Sequence, residues 1–125
     1  MVIGNGVDII AIERIRKILD KNARFLERNF TLNERELFQE KMMHPATIAA
    51  GFAAKEAVSK AMGTGIRGFN FIDIEVLRDA LGKPFVNLHG NAKEIAASKG
   101  IESFEISLSH TDETAIAFAI SLGKR

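Results

Sequence analysis

The sequence of 125 residues contains no cysteine, which excludes disulfide bonds, thiolate zinc sites and cysteine nucleophiles. Its longest uninterrupted apolar run, residues 115–120, is far shorter than the roughly 20 residues that span a bilayer. The N-terminal segment has neither a basic stretch nor a long apolar core, so we expect no signal peptide. We therefore expect a cytoplasmic protein.

A strong excess of charge of either sign is also missing, because 17 basic and 16 acidic residues leave a net charge of +1. The chain as a whole is therefore not a binder of polyanions, and any electrostatic recognition must be local. Apolar residues make up 46% of the chain and charged residues 26%, which argues against disorder and allows a real core. The length predicts a single domain over residues 1–125.

The segment 52–65 has the composition of a buried helix at its start. It holds alanines and long side chains of high helix propensity; Pro45 suits the first turn of such a helix and Gly63 suits its end. Because the helix is apolar nearly all round, we predict that it is buried. It nevertheless carries Lys55, and a charge within a core is costly unless it is paired or bound to something.

Glu56 and Lys60 are predicted to lie one turn apart on one face of this helix, which they share with Ala49 and Ala53. A carboxylate above an ammonium group, with alanines that let a bulky ligand approach, suits a metal–phosphate ligand. An ordinary ion pair between residues four positions apart is the alternative.

Residues 2–9 are predicted to form a short strand, interrupted by Gly4 and Gly6, that places Asp8 at its end. Glycine within a strand often marks the close approach of another backbone or a ligand. Asp8 is either the cap of the following helix or a metal ligand. Together with Glu56, it would complete a normal Mg²⁺ site, since this ion takes one or two carboxylates and keeps several waters.

Residues 10–30 are predicted to form one amphipathic helix, because apolar residues recur at the spacing of a buried stripe. Basic residues recur at the same spacing on another face and form what we call the basic ridge: Arg14, Lys17, Lys21, Arg24 and Arg28. Ile18 and Phe25 fall beside this ridge. The ridge is either a solvated face with ion pairs to acidic neighbours or a docking surface for an acidic helical partner.

The remaining segments predict an α+β fold, a single small domain with early helices packed on an antiparallel sheet. A capping box of Thr31 and Glu34 opens a short helix, and the glycine-rich loop 63–68 has backbone amides that can line an anion. Further strand or helix patterns cover 69–76, 85–89, 92–99, 104–109 and 114–122, the last two strands as a hairpin.

Two features of the C-terminal hairpin carry functional hypotheses. Residues 115–120 are apolar on both faces of the predicted strand, and a surplus apolar face usually marks an interface, so we expect an oligomer. His110 lies in a polar turn at a strand end. It is either a solvent-exposed turn residue or a group that donates to phosphate or carries a proton.

Several of these motifs resemble the holo-acyl-carrier-protein synthases, the small bacterial 4′-phosphopantetheinyl transferases. The resemblance rests on segments 6–9, 52–57, 60–65 and 82–84, which keep their order and spacing over nearly the whole chain. It implies a trimer with active sites between subunits, coenzyme A as donor, Mg²⁺ as metal, and transfer to a serine of apo-acyl carrier protein in fatty acid biosynthesis. The other product would be adenosine 3′,5′-bisphosphate.

The resemblance also implies roles for individual residues. Asp8 and Glu56 match metal ligands, Lys60 matches a lysine near the pyrophosphate, and Glu56 is expected to orient or deprotonate the serine. Arg14 matches a carrier-protein contact, and the basic ridge with Ile18 and Phe25 would surround it. The remaining matches to the coenzyme site are Gly63, Thr64, Gly65, Lys83, Pro84, His110 and Thr111.

One departure concerns Gly51, where the resemblance implies an arginine before the Phe of the central motif. If that arginine binds a phosphate, another cation has to do so in this chain, and Lys55, Arg67 and Lys83 are the candidates. Two other functions remain open on the residues alone. One is a non-catalytic adaptor that binds an acidic helix, and the other is a different Mg²⁺-dependent phosphotransfer enzyme or nuclease.

Overall fold

A helix laid across an antiparallel sheet organises the structure, a computed structural model that describes residues 1–124. Helix α4 (Pro45–Ala61) packs against strands β1 (Val2–Ala11) and β5 (Thr114–Gly123) of a three-stranded sheet with the order β1–β5–β4. The predicted α+β class, the buried central helix with Pro45 in its first turn, and the C-terminal hairpin are confirmed.

The other elements follow the chain order. They are α1 (Ile12–Lys21), α2 (Phe25–Asn29), α3 (Leu32–Glu40), a 3-10 turn (Phe71–Asp73), β2 (Ile74–Arg78), β3 (Pro84–Leu88), α5 (Gly90–Ser98) and β4 (Ile101–His110). Strands β2 and β3 form a separate two-stranded sheet. The capping box predicted at the start of α3 is present, with the Thr31 hydroxyl accepting from the Glu34 amide.

The predicted helix over residues 10–30 is wrong, because the structure divides it into α1 and α2. Asn22 ends α1, and its side chain accepts a hydrogen bond from the Arg24 amide at 3.1 Å, a local bond that competes with the helical pattern. Ile10, predicted inside the helix, belongs to β1 and lies on its buried face.

The outer face of the three-stranded sheet is apolar and exposed where β1 pairs with β5. Val7 and Ile9 of β1 lie opposite Phe118 and Ile116 of β5, and all four side chains are exposed in the single chain. The inner face of β5 is made of small buried residues that lie toward α4. Within residues 1–124, no helix is both long and apolar enough to cross a membrane.

Candidate active site

Asp8 and Lys60 meet where β1 crosses the C-terminal part of α4. The Lys60 ammonium lies 3.5 Å from Asp8 Oδ1 and donates to the Val7 carbonyl at 3.0 Å. The Asp8 side chain is 20% exposed and that of Lys60 48%, so the pair opens to solvent. Asp8 lies within the strand, and the residue that caps α1 is Ala11, so the capping role considered for Asp8 is wrong.

Glu56 lies one turn before Lys60 on α4 and is half-buried. Residues one turn apart have β-carbons about 5–6 Å from each other, so Glu56 belongs to the same patch as the Asp8–Lys60 pair. Within residues 1–124 Lys60 pairs with Asp8 and not with Glu56, so the simple helical ion pair is not formed. The Glu56 carboxylate is therefore available to another group.

Glycines in β1 allow this arrangement. A β-carbon added at Gly6 would lie 2.1 Å from the Ala57 carbonyl oxygen, and one at Gly4 would lie 2.5 Å from that of Ala61. The strand and the helix therefore touch backbone to backbone. The close approach of another group to the strand, predicted from these glycines, is confirmed, and the group is the backbone of helix α4.

Lys55, five positions before Lys60, has a purely structural environment. Its ammonium is fully buried, lies 2.8 Å from Glu34 Oε1, and also donates to the carbonyls of Phe71 and Ile74. Burial lowers the pKa of Lys55 and raises that of Glu34, while their mutual attraction opposes both shifts. Lys55 therefore cannot take the place of an arginine at Gly51 as a phosphate ligand.

The glycine-rich loop borders a concavity at the C-terminal end of α4. Lys60, Gly63, Asn5 and Lys99 are among the residues that line it. Gly63 and Gly65 have φ angles of +81° and +60°, which glycine adopts without strain. The Thr64 hydroxyl donates to the Gly65 carbonyl at 2.7 Å.

The candidate coenzyme-site residues that follow in the sequence lie in a different part of the molecule from Lys60. Pro84 and His110 line a pocket that also includes Ala46 and Ala50, near the N-terminal end of α4. Ala50 precedes Lys60 by ten positions, which is about 15 Å along a helix. Within one chain, the structure therefore does not bring these two groups of candidates together.

Two further candidates are occupied by local contacts. Lys83 lies 3.2 Å from Glu105 in an exposed ion pair. Thr111 accepts hydrogen bonds from the amides of Glu113 and Thr114 through its hydroxyl, and its carbonyl lies 3.2 Å from His110 Nδ1. These contacts order the turn between β4 and β5.

Known proteins are similar to this chain over nearly its whole length. Residues 4–119 match the family model of the 4′-phosphopantetheinyl transferase superfamily. A holo-[acyl-carrier-protein] synthase of Alkaliphilus metalliredigens is 58% identical over 121 residues, which cover 97% of this chain and 99% of that protein. This chain belongs to the holo-[acyl-carrier-protein] synthase family.

Solved structures of the synthase family have the same fold. The synthase of Neisseria meningitidis has a TM-score of 0.89 and 35% identity, over 98% of this chain and 99% of that one. A synthase of Helicobacter pylori in complex with coenzyme A has a TM-score of 0.82 and 34% identity, over 94% and 99% of the two chains. The family resemblance and the enzyme class predicted from sequence are thus confirmed, which sets aside the adaptor and nuclease alternatives.

The basic ridge is only partly formed in this synthase family member. Arg14, Lys17 and Lys21 of α1 line an open groove together with Ile18, which is half-buried. The break at residues 22–24 places Arg28 on α2, an exposed residue that does not line this groove.

Phe25 does not flank the ridge, so its predicted role as a partner contact is wrong. It is buried, and its ring centroid lies 5.6 Å from that of Phe52 and 6.0 Å from that of Phe30. The start of α2 turns Phe25 into the core because the helix does not continue from α1.

Sequence patterns missed a polar network around Glu75. Its carboxylate is buried and accepts from the hydroxyl of Thr31 and the amide of Asn87, with His89 Nε2 at 3.2 Å. Burial alone would raise the pKa of Glu75, but these hydrogen bonds outweigh it and hold the pKa below its ordinary value. The capping residue Thr31 was the available signal, although it does not identify its distant partner.

Proposed function

We propose that this chain transfers 4′-phosphopantetheine from coenzyme A to a serine of apo-acyl carrier protein, with Mg²⁺ held by Asp8 and Glu56. The observation that carries the proposal is the patch where β1 crosses α4. There a carboxylate lies 3.5 Å from the Lys60 ammonium, and a second carboxylate lies one turn away on the same helix.

The residues present fit this metal. Among residues 1–124, no group of three or more His, Cys, Asp or Glu side chains is arranged to hold an ion. Two carboxylates completed by water and phosphate oxygens match Mg²⁺, which keeps much of its hydration. When bound, the ion would neutralise charge on the pyrophosphate and help to position it.

The chemistry assigned to the chain is a single phosphoryl substitution. The serine hydroxyl oxygen forms a bond to the pyrophosphate phosphorus on the pantetheine side, and the bond from that phosphorus to the bridging oxygen breaks. Adenosine 3′,5′-bisphosphate leaves with the bridging oxygen. Glu56 orients or deprotonates the serine, and the Lys60 ammonium stabilises the charge that develops on the leaving phosphate.

We also propose that the active unit is an oligomer, a trimer by the resemblance. The exposed apolar face formed by Val7, Ile9, Ile116 and Phe118 supports an interface, because such faces rarely stay in contact with water. The separation of Lys60 from Pro84 and His110 also supports an oligomer. These candidate coenzyme-site residues are far apart within one chain, and a second copy of the chain can bring the two groups together. Sedimentation that finds an active monomer at micromolar concentration would contradict this.

We propose that the carrier protein docks on the groove of α1, where Arg14, Lys17 and Lys21 surround Ile18. Arg14→Glu with Lys21→Glu should raise the KM for carrier protein and flatten its dependence on salt, because these charges steer an acidic partner. The KM for coenzyme A should stay near its original value. If the carrier-protein KM does not change across a salt series, these residues are an ordinary solvated surface.

The main test is mass spectrometry of apo-acyl carrier protein incubated with this chain, coenzyme A and Mg²⁺. We expect the mass of one phosphopantetheine to be added, and EDTA to prevent it. Asp8→Ala and Glu56→Ala should abolish the addition while the circular dichroism spectrum stays unchanged. Full activity of both variants at limiting Mg²⁺ would refute the metal assignment.

A further inference from the structure

The Lys60 side chain is fixed at its base and free at its end. A β-carbon added at Gly6 of β1 would lie 2.7 Å from the Lys60 β-carbon, so the strand lies directly on the base of this side chain. The side chain as a whole is nevertheless 48% exposed, and the stem of a lysine is long and flexible. The ammonium group can therefore change partners while the backbone of α4 stays in place.

The Lys60 ammonium has two acceptors on β1. It donates to the Val7 carbonyl at 3.0 Å and lies 3.5 Å from Asp8 Oδ1. Asp8 is one of the two carboxylates that we assign to the metal, so a cation of the chain itself already lies beside a metal ligand. Glu56, the other assigned ligand, lies one turn away on α4 and does not pair with this ammonium within residues 1–124. Only Asp8 therefore has to exchange one cation for another.

The pair between Asp8 and Lys60 is weak enough to be exchanged. Ion pairs at solvent-exposed positions change an equilibrium by only about fivefold or less, because water and salt screen both charges. The pair between Lys55 and Glu34 on the same helix is a contrast, since both of its side chains are fully buried. A ligand that reaches the site from solvent can therefore compete for the Lys60 ammonium but not for that of Lys55.

We propose that the Lys60 ammonium competes with the metal for Asp8, and that a phosphate of the substrate ends this competition by accepting the ammonium instead. A lysine ammonium binds phosphate as a point charge, and it leaves a carboxylate readily when that carboxylate is solvated. Asp8 then takes up the metal tightly only together with coenzyme A, and stays paired with Lys60 between turnovers. This inference rests on the proposed function, which assigns the metal to Asp8 and Glu56.

Competition for Asp8 differs from the other roles that Lys60 can have. If Lys60 serves only the phosphate, its charge has no influence on metal binding when no coenzyme is present. If it orients Asp8 for the metal, loss of its charge weakens metal binding. Competition alone predicts that loss of the Lys60 charge strengthens metal binding by the coenzyme-free protein.

The first test measures Mn²⁺ binding to the intact protein by electron paramagnetic resonance, with no coenzyme present. Mn²⁺ takes the same oxygen ligands as Mg²⁺, and its free form gives a signal that binding removes. Lys60→Met keeps the length of the side chain and removes its charge. It should bind Mn²⁺ about threefold to tenfold more tightly than the unmodified protein, the effect of one partly exposed ion pair and of repulsion between like charges. Lys60→Arg keeps the cation and should stay near the unmodified affinity.

Lys99→Met is the matched control. Lys99 is exposed and lines the same concavity as Lys60, but within residues 1–124 the lysine that pairs with Asp8 is Lys60. This substitution removes the same charge from the same neighbourhood, so it should change the Mn²⁺ affinity by less than about twofold. Adding Asp8→Asn to Lys60→Met should abolish the gain, because the ion is then deprived of the carboxylate for which Lys60 competes.

The second test follows the ammonium itself. A crystal structure of the protein with adenosine 3′,5′-bisphosphate, grown in EDTA, should show Lys60 Nζ within hydrogen-bond distance of the 5′-phosphate and no longer beside Asp8. An ammonium that stays on Asp8 while the phosphate is bound would overturn the exchange of partners.

Each other outcome of the Mn²⁺ titrations also overturns the inference. Equal affinity of Lys60→Met and the unmodified protein would mean that Lys60 does not compete for Asp8, and weaker binding by Lys60→Met would mean that it orients this ligand. An equal gain in Lys99→Met would mean that only the general positive charge of the concavity matters. Failure of the proposed function is distinct, because then the unmodified protein transfers no phosphopantetheine in Mg²⁺, whatever its affinity for Mn²⁺.

Discussion

Lys55 and Lys60 lie on the same helix and have opposite environments. The Lys55 ammonium is fully buried, and its three donors go to the Glu34 carboxylate and the carbonyls of Phe71 and Ile74. The Lys60 side chain is 48% exposed, gives one bond to the Val7 carbonyl, and lies 3.5 Å from Asp8. Lys55 therefore has no N–H donor left for a ligand, whereas Lys60 has donors available.

This difference separates the charges that hold the fold from those that act on a substrate. Lys55 ties α4 to the start of α3 and to β2, because Glu34 also accepts from the Val76 amide at 3.1 Å. Lys60 faces solvent beside two carboxylates. Charge and helix position do not distinguish these roles, whereas the partners of each ammonium do.

The largest expected effect is on stability, from Lys55→Met. Removing one partner of a buried ion pair costs about 3–5 kcal/mol, because the remaining charge stays buried. Urea unfolding should show this loss, whereas Lys60→Met should change stability by less than about 1 kcal/mol. The double variant Lys55→Met with Glu34→Gln, which removes the remaining charge but keeps an acceptor for the Val76 amide, should recover part of the loss. A small effect of Lys55→Met alone would contradict the structural role.

The same variant has a defined pH dependence. Glu34 already has a pKa above its ordinary value of 4.5, and loss of Lys55 removes a charge that holds it down. A carboxyl whose folded pKa is raised contributes stability that is present below its unfolded pKa and lost as pH rises through the folded value. Lys55→Met should therefore be more destabilising at pH 8 than at pH 5.

The next effect is catalytic, from Lys60→Ala. It should lower kcat by the equivalent of about 2.7–4 kcal/mol, the typical loss for one electrostatic donor to a transition state. Coenzyme A affinity should fall less, and Lys60→Arg should recover only part of the rate because its geometry differs. An equal loss of affinity with kcat unchanged would show that Lys60 only binds the ground state.

A smaller effect is expected from Gly6→Ala, which perturbs the Lys60 environment without touching Lys55. The added methyl group would lie 2.1 Å from the Ala57 carbonyl, so β1 and α4 must move apart. Such overpacking costs about 1–3 kcal/mol. The Asp8–Lys60 distance should increase and kcat should fall, while Val2→Ala, at an exposed position on the same strand, should do neither. Normal kinetics in a folded Gly6→Ala protein would mean that this close approach does not position the site.

Periodicity predicted the elements whose signal is local. The apolar character of α4, the proline at its start and the alternation in the last two strands each depend on neighbouring residues. The candidate site could also be predicted from the sequence, because Glu56 and Lys60 are one turn apart and the family motifs include Asp8.

Single side-chain contacts and interactions between distant residues could not be predicted in this way. The break at Asn22 depends on one side-chain hydrogen bond, and extrapolating a continuous helix past it turned Phe25 to the wrong side. The partner of Lys55 is 21 positions away, and the partners of Glu75 come from two separate segments, around Thr31 and around Asn87 and His89. A charge inside an apolar helix indicates that some partner exists, but it does not say which one.

The contact between α4 and the sheet is built from the smallest side chains that a chain can use. Ala53 and Ala57 of the helix, and Ala117 and Ala119 of β5, are fully buried. In most cores, substitution of a larger residue on one element can be offset by substitution of a smaller residue on the element that packs against it. Here the only smaller residue is glycine, which weakens a helix by roughly 1 kcal/mol. Almost no pair of substitutions can therefore compensate for each other at this contact. A larger side chain on either element would be destabilising, and a second substitution on the other element would not restore the packing.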